Sequence, residues 1–371
     1  VSQLRVAVVG AGNLGRIHAK LLGEHRGVNL VAVADPSPEA CDRIAETIDT
    51  KTISDYQDLI GHIDAAIIAT PTRFHHQVAS DLLGHGIHTL IEKPITDSVS
   101  TANDIVSLAD RTGCIVQVGH VERFNPAFET AISKIGTPKF IQASRTSTYT
   151  FRSTDIGVVH DLMIHDIDLV NSIVGGSLVD TRAIGFSMFG GNEDMAQARL
   201  QFSCGAVANL TASRSSFSAE RSMQIFGTDG FAKIDFTESK VTFVRVPSWM
   251  KNREVDFFNL SEPQKQFVRE TLFDNVLPME EVVVERNNAI LQEQADFIAA
   301  IRDNLQPRVP AIHGALAVEV AQSVIDSIAS HQWQPGTAAS SGPLPMVAVA
   351  SGTDAIPDQL FRTPGQVRRA A

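Results

Sequence analysis

The sequence predicts an α/β fold: a doubly wound parallel sheet at the N-terminus, then a C-terminal α+β domain with an open, mainly antiparallel sheet. Two observations predict it. Short apolar runs alternate with amphipathic stretches up to about residue 121, and from Thr181 to Val246 strand-like runs follow one another with turn signals between them. Strands separated by helical crossovers pair in parallel, whereas strands joined by turns pair antiparallel.

In order, Leu4 to Val9, Leu30 to Ala34, Ala65 to Ala69, Thr89 to Glu92 and Ile115 to Val118 read as the parallel strands, with helical segments between them. After Gly119 a helix is expected over Pro126 to Lys134, then a less cleanly alternating run, Phe140 to Thr146, and a long helix from about Ile156 to Val174. The turn signals Gly190-Gly191, Gly205 and Thr228-Asp229-Gly230 punctuate the antiparallel region. Two further helices, Asn288 to Arg302 and Gly314 to Ser330, flank the Pro307 to Pro310 break. Beyond Gln334 the composition turns to Gly, Ala, Ser and Pro, as in a tail or an arm reaching a neighbouring subunit. The expected organisation is therefore 1–121 for cofactor binding, 122–334 for substrate and subunit contact, and 335–371 as the tail.

Gly10, Gly12 and Gly15 form a GxGxxG signature with Asn13 and Leu14 inside it. It follows the first strand, opens an amphipathic helix and precedes Asp35, 20 residues after Gly15. The first glycine permits a sharp turn, the second lets backbone approach a pyrophosphate, and the third lets helix and strand pack closely. The helix N-terminus presents unpaired N–H groups to the phosphates. Asp35 at the tip of the second strand would accept hydrogen bonds from the adenine ribose and repel a 2′-phosphate, which favours NAD over NADP. Thr70-Pro71-Thr72 with His75 and His76 ends the strand Ala65 to Ala69, where backbone would run along the dinucleotide. Thr70, Pro71 and His75 thus join the cofactor-binding candidates, with pairing to local backbone as the other reading of His75.

Glu92-Lys93-Pro94 closes a parallel strand at the sheet edge where ligands of such folds bind, so Glu92 and Lys93 are cofactor-side candidates. Lys93 could also orient a substrate hydroxyl and stabilise a developing alkoxide. Asp161, His165 and Asp168 fall at i, i+4 and i+7, one polar stripe on a helix whose opposite side holds Met163, Ile167, Val170 and Val174. A histidine flanked by acids suits general acid/base work, the neighbouring acid fixing the tautomer and raising proton affinity. Asp166 falls toward the apolar side, which the amphipathic pattern does not explain. At the expected junction, His120, Arg123 and Asn125 are substrate-binding candidates; an ion pair pinning the hinge is the competing role for Arg123. No HExxH and no third ligand beside the helical pair supports a metal.

A formal charge of −11 argues against a nucleic-acid or anionic-membrane partner. Cys41, Cys114 and Cys204 lack CxxC spacing, and no apolar run reaches the ~18 residues of a spanning helix. These features, with a first strand that begins almost at residue 1, predict a cytoplasmic protein.

Together, Gly10 to Gly15, Glu92-Lys93-Pro94 and the Asp161/His165 pair about 70 residues later resemble the glucose-fructose oxidoreductase / inositol dehydrogenase / rhizopine-catabolism family over roughly residues 4–334. The resemblance implies a Rossmann domain joined to an open antiparallel sheet, assembly as a homodimer or homotetramer, and NAD(P)-dependent oxidation of a ring hydroxyl. By position, Lys93 matches the catalytic lysine, His165 the acid/base, and Asp161 the residue that orients substrate and histidine. The chain departs from the family pattern in carrying Gly157-Val158-Val159-His160 before this helix and Met163 after the aspartate, where glycines are frequent. The wording from Gly119 to Pro126 and from Asp161 to Asp168 is similar to bacterial members that oxidise C3 of UDP-N-acetylglucosamine. Inositol, aldose or dihydrodiol dehydrogenases of the same family are the alternatives within the enzyme class. A non-catalytic dinucleotide-binding regulator is the alternative outside it, and the presence of both Lys93 and His165 speaks against that role.

Overall fold

The computed structural model describes residues 3–151, 156–189, 192–333 and 342–345. The Gly190-Gly191 turn and almost all of the expected 335–371 tail lie outside the described residues.

Six strands, β1 (Leu4–Val9), β2 (Val28–Ala34), β3 (Lys51–Ile53), β4 (Ala65–Ile68), β5 (His88–Glu92) and β6 (Val116–Gly119), form a parallel sheet in the order β3-β2-β1-β4-β5-β6. Helices α1 (Asn13–Gly23), α2 (Pro38–Ala45), α3 (His75–Gly84) and α4 (Val99–Thr112) make the crossovers. The central strands are buried on both faces, with all four residues of β4 inaccessible, which is why they read as continuous apolar runs rather than alternating ones. Strand order reverses between β1 and β4, and the crevice beyond the carboxyl ends of these two strands is where such sheets bind ligands. β3 is an edge strand that the apolar pattern did not reveal.

A mixed sheet of nine strands follows, in the order β14-β13-β12-β11-β7-β10-β9-β8-β15. Its members are β7 (Pro138–Thr146), β8 (Leu178–Ser187), β9 (Met195–Phe202), β10 (Val207–Ser213), β11 (Glu220–Gly227), β12 (Gly230–Asp235), β13 (Lys240–Arg245), β14 (Met279–Val283) and β15 (Leu344–Pro345). Pairing is antiparallel except for β7 with β10 and β8 with β15. Ile141 and Ala143 of β7 stand opposite Ile225 and Met223 of β11 and are buried with them; the next pair along this face is Arg145 opposite Arg221. Helices α5 (Pro126–Ile132) and α6 (Ile164–Ile173) pack on that inner face, α6 being entered through a π-helical turn, Val159–Met163. Between β13 and β14 lie α7 (Ser248–Lys251) and α8 (Glu262–Glu270), which the sequence reading left unassigned.

The last two helices, α9 (Ala289–Asp303) and α10 (Ala311–Ser330), return to the first sheet. Phe297 and Ile298 of α9 sit in one apolar cluster with Val6, Val8, Leu22 and Ile44. Each such buried side chain contributes about 1.5–3 kcal/mol. Helix α10 packs against α4, α6 and β8, and a single apolar cluster runs from Ile91 and Val118 of the first sheet to Ile141 and Leu210 of the second. The cleft between the sheets therefore has a fixed floor.

Candidate active site

The glycine loop closes against the neighbouring strand end. Gly10 has φ +105° and a Cβ there would stand 2.5 Å from the Ala69 carbonyl oxygen, while a Cβ on Gly15 would stand 1.8 Å from the Gly10 oxygen. Only glycine permits that approach. At Gly12, by contrast, nothing lies within 4 Å of the added atom, so this backbone faces open space at the N-terminus of α1, as a pyrophosphate cradle requires. Asp35 accepts hydrogen bonds from the Ala11 and Ser37 N–H groups at 2.7 and 2.9 Å, which locks the end of β2 to the loop. Asn13, Gly12, Arg16 and Arg43 line an adjoining cavity of about 490 Å³. His75 reaches the Thr70 and Pro94 carbonyl oxygens, both at 2.9 Å, and so ties the ends of β4 and β5 together with its ring nitrogens. The residues present fit a dinucleotide along this edge.

Lys93 directly follows β5, and the Lys93-Pro94 peptide after it is cis. Its ammonium donates to the Asp161 carbonyl oxygen at 2.7 Å and lies 3.7 Å from the Asp161 carboxylate. Burial lowers the Lys93 pKa, and the charges of Asp161 and Glu92 oppose that shift. His165 is half-buried, and its Nδ1 has no hydrogen-bond partner among the described residues. Burial, followed by the nearby charges of Lys93 and Arg145, holds its pKa well below the ordinary histidine value. Both ring nitrogens of His120 and Nε2 of His160 are likewise buried without partners. An unpaired buried polar atom costs about 1–3 kcal/mol, which makes this cluster a candidate for contact with polar ligand atoms.

The polar stripe read from the sequence does not survive as one surface. The π-helical turn changes the phase of the helix, and its three members meet three environments: Asp161 holds Lys93, His165 is unpaired, and Asp168 is buried in a two-point ion pair with Arg123 at 2.7 and 3.0 Å. Among the described residues no acid pairs with His165, and burial and the surrounding cations lower its proton affinity where a neighbouring carboxylate was expected to raise it. The guanidinium of Arg123 is thereby committed to Asp168, and Asn125 caps α5 through the Ala127 N–H while donating to Glu122 at 3.1 Å. Asp166, unexplained by amphipathicity, is a partner of Arg145, which bridges it to Glu122 across buried contacts of 2.8–3.1 Å. The two acids outweigh burial and keep the Arg145 guanidinium charged.

Sequence reasoning also missed a cluster behind Lys93. His18 Nε2 and Glu92 Oε1 are 2.8 Å apart, Gln294 donates to His18 Nδ1 at 2.9 Å, and Glu293 lies beside them. Ligand-type atoms of His18, Glu92 and Glu293, from α1, β5 and α9, fall within 4.8 Å of one another, apart from the Asp161/His165 pair. Both Glu293 oxygens are buried without a partner, and burial followed by the charge of Glu92 pushes its pKa well above the ordinary carboxylate value. A folded-state pKa above the unfolded one means the native state holds the extra proton, so stability is full below the unfolded value and is lost as pH rises toward the folded value. Glu293→Gln removes that loss: its thermal midpoint is expected to change less than that of the unmodified protein between pH 5 and pH 8, a gain of about 1–3 kcal/mol at the upper end. Parallel pH dependence in the two proteins would show that Glu293 does not titrate on folding.

The description "Oxidoreductase family, NAD-binding Rossmann fold" matches residues 4–120, and that of the "GFO/IDH/MocA C-terminal domain" matches residues 131–233. The chain belongs to the GFO/IDH/MocA oxidoreductase family. Among relatives of this family, a UDP-N-acetylglucosamine 3-dehydrogenase of Acidithiobacillus ferrooxidans is 35% identical over 235 residues, which covers 63% of this chain and 74% of that protein. A scyllo-inositol 2-dehydrogenase (NAD(+)) of Bacillus subtilis is 30% identical over 248 residues, 62% of this chain and 72% of that one. A solved structure of the Acidithiobacillus 3-dehydrogenase superposes with a TM-score of 0.76 at 28% identity, covering 88% of this chain and 98% of that one. As a GFO/IDH/MocA member the protein is an oxidoreductase with an NAD-binding Rossmann domain. No helix among the described residues is long and apolar enough to cross a membrane.

Proposed function

We propose that this enzyme oxidises a ring hydroxyl of a nucleotide sugar, C3 of a UDP-N-acetylhexosamine, with NAD as acceptor. The observation that carries the reading is that Lys93, at the carboxyl end of β5, lies near enough for its charge to act on His165, whose proton affinity burial also lowers, with the buried ring nitrogens of His120 and His160 close to the same lysine. The 35% identity to the Acidithiobacillus 3-dehydrogenase supports the substrate. When bound, NAD supplies the site that takes the hydride from the carbinol carbon. His165 accepts the hydroxyl proton, since the imidazole is uncharged when the reaction begins. Lys93, steadied by the Asp161 carbonyl, offsets the negative charge that grows on the substrate oxygen as that proton leaves. Asp161 is on this reading a positioning residue for Lys93. Asp35 would take the ribose hydroxyls and disfavour a 2′-phosphate, while Gly10, Gly12, Asn13, Leu14 and Gly15 hold the pyrophosphate, with Thr70, Pro71 and Glu92 along the nicotinamide half. We assign residues 1–121 to the cofactor and 122–334 to substrate and to contacts within a homodimer or homotetramer, and we place the enzyme in the cytoplasm.

Mixing the protein with NAD and UDP-N-acetylglucosamine should raise NADH absorbance, with free N-acetylglucosamine, inositols and NADP giving far slower rates. NADH formed from inositols but not from UDP-sugars would reject the nucleotide-sugar assignment.

A further inference from the structure

We propose that Arg221 and Arg286 form the seat of the substrate's diphosphate, an inference that rests on the nucleotide-sugar reading above. Both line a cavity of about 470 Å³ together with Asn125, Pro126, Phe236 and Ser239. On the inner face of the second sheet, Ile225 and Met223 are buried, and Arg221 is the next residue of β11 on the same face, directly opposite Arg145. The strand therefore delivers Arg221 out of the apolar core and into the cleft. Its neighbours on this side are neutralised: Arg145 by Glu122 and Asp166, and Arg123 by Asp168. The Arg221 side chain makes no hydrogen bond or ion pair among the described residues, and that of Arg286 bonds only to the Thr237 carbonyl oxygen, which fixes its direction without cancelling its charge. Arg221 does act on Glu122 and Asp166, but both acids are held by Arg145, so in a chain of net charge −11 the two guanidinium groups on one concave surface leave local positive charge for an anion.

The cavity adjoins the reacting groups. Asn125 lines it and donates to Glu122, which holds Arg145, which holds Asp166, the residue following His165. The charge of Arg221 is itself among those that depress His165. A sugar placed between Lys93 and His165 would thus extend its anomeric substituent toward Arg221 and Arg286. A pyrophosphate diester carries two negative charges and planar oxygen pairs that match guanidinium forks. Free hexoses and inositols have nothing to place there, so the pair selects nucleotide sugars over neutral polyols.

The test measures kcat and KM for UDP-N-acetylglucosamine, and the dissociation constant of UDP with NADH present, for the unmodified enzyme, Arg221→Gln, Arg221→Lys and Arg286→Gln. Expected is a rise of roughly 10- to 100-fold in KM and in the UDP dissociation constant for each Gln variant. Arg221→Lys should recover part of the loss, and kcat should change less than KM. The acid limb of the Arg221→Gln pH profile should move upward, because a cation that lowered the His165 pKa is gone. Unmodified enzyme that turns over UDP-N-acetylglucosamine while the Gln variants keep its KM and UDP affinity would overturn this inference and leave the function intact. Failure of the unmodified enzyme to bind UDP or oxidise any UDP-sugar would overturn both.

Discussion

His165→Ala is expected to lower kcat for sugar oxidation by roughly 10²–10⁴-fold and to leave the affinity for NAD nearly unchanged. The ring is carried on α6 and not on the glycine loop, so on the proposed mechanism its loss deprives the reaction of a proton acceptor without touching the loop proposed to hold the pyrophosphate. The pH profile offers a second readout. Burial and the charges of Lys93 and Arg145 keep His165 deprotonated, so activity of the unmodified enzyme should persist below the ordinary histidine pKa of about 6.5 and fall only as pH drops through the lowered value. That acid limb should be missing from whatever activity His165→Ala retains. Unaltered turnover in the variant would remove the imidazole from the reaction.

Lys93→Met, which preserves chain length and deletes the charge, should reduce kcat by about 10²–10³-fold, the range found when one donor to a developing oxyanion is lost. It should also raise the proton affinity of His165, since Lys93 is the first-ranking charge acting against protonation there. The residual activity of Lys93→Met should accordingly fail at a higher pH on the acid side. Asp161→Asn is expected to be milder. The shorter contact of the ammonium, at 2.7 Å, is with the Asp161 main-chain oxygen, which the substitution retains, whereas the carboxylate stands at 3.7 Å. Steady-state rates with UDP-N-acetylglucosamine across pH 5–9 would rank the three variants; an Asp161→Asn enzyme as impaired as Lys93→Met would show that the carboxylate, not the carbonyl, aims the lysine.

The dinucleotide half was legible because local and global signals agree there. Gly10 and Gly15 are where backbone atoms leave no room for a side chain, and β4 throughout and β1 from Val6 to Val9 are apolar because both faces are covered. Edge strand β3 spans only Lys51–Ile53, too short and too exposed for periodicity to register. The helix that carries His165 was half legible: its position and its acidic and basic residues were apparent, but a π-helical turn carries no compositional mark and shifts every residue beyond it relative to a regular helix. The conflict at Asp166 was the one available clue that a buried cation lay nearby. Arg145 supplies it, and an arginine turned inward is also why β7 alternates poorly. The cluster of His18, Glu92 and Glu293 could not be read in advance, since its members lie up to 275 positions apart and only the return of α9 brings them together.

That return bears on how the molecule comes into being. Because Phe297 and Ile298 pack beside Val6 and Val8, the first sheet leaves the ribosome with an oily flank that it cannot cover by itself. Its completion waits for α9, so the nucleotide-binding half should mature only once that helix has been made, and severing the polypeptide between the sheets would yield two sticky fragments instead of two working modules.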